Sequence, residues 1–141
     1  MNAIRFAVSA ADLERCFAVM HELRPHLKAE EFVDRIRRQE ENGYRLLYLE
    51  DGGEVKALAG FRVSENLAWG KFLYVDDLVT RSAEHGKGFG GALFEWLLQH
   101  AKAQGCEQLH LDSGVQRFDA HRFYLGKGMA ITSHHFAVKL E

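Results

Sequence analysis

The sequence has little of what marks secreted, fibrous or membrane-spanning chains. Its two cysteines, Cys16 and Cys106, are too few for a disulfide framework. An unpaired thiol usually serves as a small hydrophobe, so a reducing, cytoplasmic compartment is expected. One proline, Pro25, and no Ser/Gly-rich or repeated stretch leave nowhere to divide 141 residues, so a single domain over 1–141 is expected. No apolar run approaches the roughly 18 residues that a spanning helix needs. The opening MNAIRFAVSAADLER lacks the apolar stretch of a signal peptide. Charge of one sign is also scarce: 18 Lys and Arg are scattered among 20 Asp and Glu, for a net −2. Without a basic stripe, a nucleic-acid partner is excluded from the expectations.

What is present is a change of hydrophobic period along the chain. Residues 3–8 alternate weakly and end at Ser9, a helix N-cap. Leu13, Phe17, Met20 and Leu23 then recur at helical spacing until Pro25. A charged helix follows over about 28–42, with Phe32, Val33 and Ile36 as its stripe and Gly43 closing it. Strands are predicted over 44–50, 54–64 and 68–80, the first two joined by Asp51-Gly52-Gly53, giving an antiparallel meander. A helix over 88–104 carries Phe89, Leu93, Trp96, Leu97 and Ala101 on one face. A short strand (107–112), a short helix (119–125) and a final strand pair (129–140) complete the order β-α-α-β-β-β-α-β-α-β-β. That is a mixed α/β sheet with one parallel crossover in its second half.

The run His85-Gly86-Lys87-Gly88-Phe89-Gly90-Gly91 lies between an apolar strand and an amphipathic helix. Glycines admit close backbone approach, and a helix N-terminus offers unpaired N–H donors and partial positive charge, so an anion is favoured. A P-loop would need Ser or Thr after the lysine, and Gly88 stands there. A dinucleotide fingerprint is formally matched by Gly86-x-Gly88-x-x-Gly91, with Asp112 ending the next strand. That fingerprint belongs to sheets of parallel βαβ units, whereas the strands here are hairpin-connected. A turn that merely starts a helix would need one glycine, and this one has four in six residues.

The segment resembles the [Q/R]-x-x-G-x-[G/A] signature of the GNAT family of N-acetyltransferases, with Gly88 and Gly90 in the glycine places. His85 stands where Gln or Arg is usual, and Ser82 where proline is common. A second stretch, Ala120-His121-Arg122-Phe123-Tyr124-Leu125-Gly126-Lys127-Gly128-Met129, is similar to the family's A-x-x-F-Y-x-x-x-G-F helix and turn. Here Met129 replaces an aromatic and Arg117 a frequent Asn. The likeness is strong from about 73 to 140, and 119–128 is especially similar to aminoalkylphosphonate N-acetyltransferases.

The resemblance implies a GNAT fold and transfer of acetyl from acetyl-CoA to an amine by direct attack. It implies that backbone amides of Gly86, Lys87, Gly88, Phe89, Gly90 and Gly91, with His85, hold the pyrophosphate. Leu78, Val79 and Thr80 would pair with the pantetheine arm, the N–H near Val79 polarising the thioester carbonyl. Tyr124 is the expected acid for the leaving thiolate. The base is open between Asp77 and Asp76, which the two-residue strand period sets on opposite faces, with Asp112 as a third choice. His121, one turn before Tyr124, would relay a proton or orient the phenol.

Eight histidines invite a metal reading. His21 and His26 miss the H-E-x-x-H spacing by one position, and Pro25 breaks the helix between them. His134 and His135 point to opposite faces of a strand, so no metal site is expected. The expected partner is a small-molecule amine, with no membrane and with homodimer formation left open. A peptide acceptor, or an acyl-CoA sensor without turnover, are the competing readings.

Overall fold

A computed structural model describes residues 2–141. The chain forms two compact units, one up to His110 and one from Leu111 onward. The first holds β1 (Asn2–Phe6), α1 (Ala10–Leu23), α2 (Ala29–Glu40), β2 (Arg45–Asp51), β3 (Glu54–Asn66), β4 (Gly70–Thr80), a 3-10 turn (Ser82–Glu84) and α3 (Phe89–Ala103). β5 (Gln108–Leu111) runs into the second unit, which carries α4 (Phe118–Gly126).

The five strands form one sheet in chain order. β1 to β4 are successive antiparallel neighbours, Phe6 facing Leu47, Tyr48 facing Leu58 and Leu58 facing Val79. β5 follows the α3 crossover and makes the sheet mixed. On one face Leu13, Cys16, Val19 and Met20 of α1 join Phe32 and Ile36 of α2, Leu46, Tyr48 and Leu58. Leu47, Leu49, Ala57, Ala59 and Phe61 are buried as well, and Phe61 meets Trp96 of α3 at 5.9 Å. With both faces covered, the middle strands read as nearly continuous apolar runs rather than alternating ones.

The helix signals hold because their caps are local. The Ser9 side chain accepts from the Asp12 N–H at 3.1 Å, and α1 stops at Arg24, before Pro25. Past α2, the Gly43 N–H bonds the Glu40 carbonyl and the Tyr44 N–H the Gln39 carbonyl. This is the glycine-terminated helix end, with Gly43 at φ +89°, and it fixes where Tyr44 enters the sheet. Burial pushes the Cys16 thiol up to about 12, so it is an inert core group.

Tyr44 is buried, and its hydroxyl lies where a side chain at position 60 would begin. A Cβ on Gly60 would stand 1.8 Å from that oxygen. Gly60→Ala must therefore expel the phenol from its seat over β3. Overpacking plus a lost buried hydrogen bond should cost about 2–4 kcal/mol, read as a lower urea midpoint with an unchanged m-value. A midpoint equal to the parent's would show that the ring relaxes freely.

The expected order holds through α4, but the final strand pair over 129–140 does not form, and that segment has no regular secondary structure. Its period-two residues Phe136, Val138 and Leu140 are 91%, 83% and 92% exposed. Alternation says which side chains share a face; it does not supply a partner strand, and a lone hairpin is marginal in water.

Candidate active site

The glycine run forms a turn closed by its own chain. Between β4 and the glycines, Ser82–Glu84 folds as a 3-10 turn whose Ser82 N–H bonds the Glu22 carboxylate at 3.0 Å, tying it to α1. His85 Nε2 lies 3.0 Å from the Thr80 carbonyl, so this side chain closes the turn back onto β4. The Lys87 ammonium lies 2.6 Å from Glu84, whose other oxygen meets Lys56 at 3.0 Å. These lysines hold the Glu84 carboxyl below the usual carboxylate range.

Gly86 and Gly88 take φ +83° and +85°, a region that disfavours other residues. Nothing lies within 4 Å of a Cβ placed on either, so packing does not demand glycine there. Gly88 caps α3 without a side-chain bond, and the first helical bond runs from the Ala92 N–H to the Gly88 carbonyl at 3.0 Å. The amides of Phe89, Gly90 and Gly91 thus precede the helical ladder, as donors for an anion.

β4 leads into this turn. Its residues Leu78, Val79 and Thr80 pair on one side with Ala59, Leu58 and Ala57. On the other side, the Glu107 N–H bonds the Lys71 carbonyl at 2.8 Å, and β5 ends four residues after that point. At ~3.3 Å per residue, β5 accompanies only the first half of β4.

Between these regions β4 carries a bulge. Gly60 faces Asp77 and Phe61 faces Val75, leaving Asp76 as the extra residue. The expected opposite-face placement of Asp76 and Asp77 therefore fails, because the bulge interrupts the two-residue period. Both carboxylates join one network. Asp77 accepts from Arg24 Nε at 2.9 Å and from the Tyr44 hydroxyl at 2.8 Å. Asp76 accepts from Arg62 Nε at 3.1 Å and from its terminal nitrogen at 2.8 Å, and its carbonyl accepts from Arg24 at 2.9 Å. Burial, and next the charge of Asp77, push the Tyr44 phenol well above its ordinary value, so it remains a donor. Burial raises the Asp76 carboxyl, against the pull of Arg62.

In the second unit, α4 ends with the Gly128 N–H on the Leu125 carbonyl and the Met129 N–H on the Tyr124 carbonyl, both at 3.1 Å. The glycine of the second motif is thus this helix's terminator. Tyr124 is half-buried, and burial raises its phenol above the ordinary value while Arg117 pulls the other way. His121 Nε2 lies 2.8 Å from the Gly114 carbonyl, which commits that ring nitrogen to the preceding loop. Asp112 lies 3.4 Å from His135.

Residues 10–129 match the acetyltransferase (GNAT) family model. The chain belongs to the GNAT family. It is 34% identical over 122 residues to YhdJ, an uncharacterised N-acetyltransferase of Bacillus subtilis, covering 85% of this chain and 86% of that one. It is 30% identical over 77 residues to the aminoalkylphosphonate N-acetyltransferase of Salmonella typhimurium, 54% of this chain and 50% of that one. The fold superposes with TM-score 0.85 on AAC(6')-Iy, solved with the bisubstrate analogue CoA-S-monomethyl-acetylneamine, at 12% identity over 100% of this chain and 99% of that one.

This GNAT chain is accordingly an acetyl-CoA-dependent N-acetyltransferase. Among the described residues no helix is long and apolar enough to cross a membrane, and no three His, Cys, Asp or Glu converge as a metal site. Sequence reasoning singled out the glycine turn and Asp77 but missed Arg24, Tyr44 and Arg62. Their partners lie 53, 33 and 14 residues away, and only the run of two adjacent acids on an apolar strand signalled them.

Proposed function

We propose that the protein transfers acetyl from acetyl-CoA to the primary amine of a small molecule, in the cytoplasm, with residues 1–141 acting as one catalytic domain. The observation that carries this reading is the uncapped α3 N-terminus behind two positive-φ glycines with open space above them. Amides of Gly86 through Gly91 grip the diphosphate by charge-assisted bonds. Leu78, Val79 and Thr80 take the pantetheine amides along the half of β4 beyond β5, and the Val79 N–H polarises the thioester carbonyl. His85 serves by closing the turn rather than by touching the ligand.

Asp77 receives the ammonium proton, directly or through water. Each of its oxygens already accepts one bond and has a second lone pair to offer. Tyr124, kept neutral by burial, donates its proton to the leaving thiolate. His121 steadies the loop before α4 and so positions that helix. The amine attacks the thioester directly, and neither cysteine is an activated nucleophile, since burial raises both thiols.

The test is thiol release from acetyl-CoA with a panel of small amines, polyamines, aminoglycosides and short peptides. Turnover of small amines well above that of peptides supports the reading. Preferential acetylation of peptides would replace it with the protein-acetyltransferase reading, and binding without thiol release with the sensor.

A further inference from the structure

We propose that the acceptor is a zwitterion, an amine bearing a carboxylate or phosphonate two or three bonds away, and that Arg24 reads its acidic group. This rests on the N-acetyltransferase reading above and narrows its substrate class.

Arg24 is held from both ends. Its backbone N–H bonds the Met20 carbonyl at 2.8 Å, and Pro25 prevents the helix from continuing past it. Its guanidinium bonds Asp77 Oδ1 and the Asp76 carbonyl, both at 2.9 Å. Two of five N–H donors are used, leaving three on a fork that cannot turn away. The side chain is 41% exposed against 13% for Asp77, so the arginine faces solvent more than its partner does.

Arg62 is unsuited to the task. It is spent on both oxygens of Asp76, on Gln39 Oε1 at 3.0 Å and on the Asn42 carbonyl at 3.4 Å. The four charged groups, Asp76, Asp77, Arg24 and Arg62, sum to zero. A polyamine has no acidic group to offer the Arg24 donors. A zwitterion meets a fixed negative group, Asp77, beside a fixed positive one, Arg24. Because the pair is already ordered, recognition costs little conformational entropy. Asp77 stands two residues before Val79, about 7 Å along the strand. That is the reach of a short aminoalkyl acid whose nitrogen faces the thioester.

The experiment compares kcat/KM within matched pairs: 2-aminoethylphosphonate against its diethyl ester, and β-alanine against β-alaninamide. The protein should favour the acidic member by about 30-fold or more, the scale of a charge-assisted pair of hydrogen bonds. Arg24→Met should collapse that ratio toward unity, and Arg24→Lys, which keeps the charge without the fork, should leave an intermediate ratio. Acetyl-CoA affinity checks that each variant is folded; if the methionine variant fails there, the lysine variant decides. Acetylation of neutral amines with no acid preference overturns this inference and leaves the acetyltransferase reading standing, as does an acid preference that stays at the wild-type ratio in either folded variant. No thiol release with any amine overturns both.

Discussion

Gly88→Val is expected to weaken acetyl-CoA binding by more than about 100-fold, while the variant still folds. The loss follows from forfeiting two or three charge-assisted bonds between main-chain amides and phosphate oxygens. Position 88 sits at φ +85°, which a β-branched residue reaches only with strain of roughly 1–2 kcal/mol. The space above its Cβ is open within 4 Å, so no packed neighbour is displaced. The valine methyls would stand instead where a diphosphate must approach. Isothermal calorimetry with acetyl-CoA checks the binding and a thermal melt the fold, with a drop of only a few degrees. Unchanged affinity would show that the cofactor does not use this turn.

Tyr124→Phe should lower kcat by about 10²–10⁴-fold with little change in the KM for acetyl-CoA, the signature of a lost proton donor. Burial raises the phenol above its ordinary value of 10.0, so deprotonation lies on the alkaline side of that point. As pH rises, the alkaline fall of the wild-type rate should therefore come, on this group's account, at higher pH than an ordinary phenol would give. The phenylalanine variant should lack that limb. An unaltered kcat would remove Tyr124 from the chemistry and leave it a packing residue of α4.

Local signals were readable in advance, and long-range ones were not. Ser9 and Pro25 bracket the helical spacing of Leu13 to Leu23, and α1 runs between them as Ala10–Leu23. The meander followed from period and turn glycines, and the turn before α3 from four glycines ahead of an amphipathic stripe. The bulge at Asp76 left no such trace, since nothing in a run of strand residues announces an extra one. The Arg24–Asp77 contact and the seat of the Tyr44 hydroxyl over Gly60 depend on the folded sheet bringing α1, the end of α2 and two strands together. The C-terminal alternation was legible as a pattern, but a pattern without a neighbouring strand does not make a ladder.

The site gains its order from second contacts rather than from its glycines alone. Glu22 holds Ser82, Thr80 holds His85, and Glu84 gathers Lys56 and Lys87, so the turn is set before any ligand arrives. Such preorganisation reduces what binding must spend on ordering.

The most direct measurement is a crystal structure of the protein soaked with coenzyme A. The diphosphate oxygens should lie about 3 Å from the Phe89, Gly90 and Gly91 amides, with the pantetheine arm beside Leu78–Thr80. A coenzyme whose diphosphate sits away from residues 86–91, in a complex where that turn keeps its present form, would contradict the account.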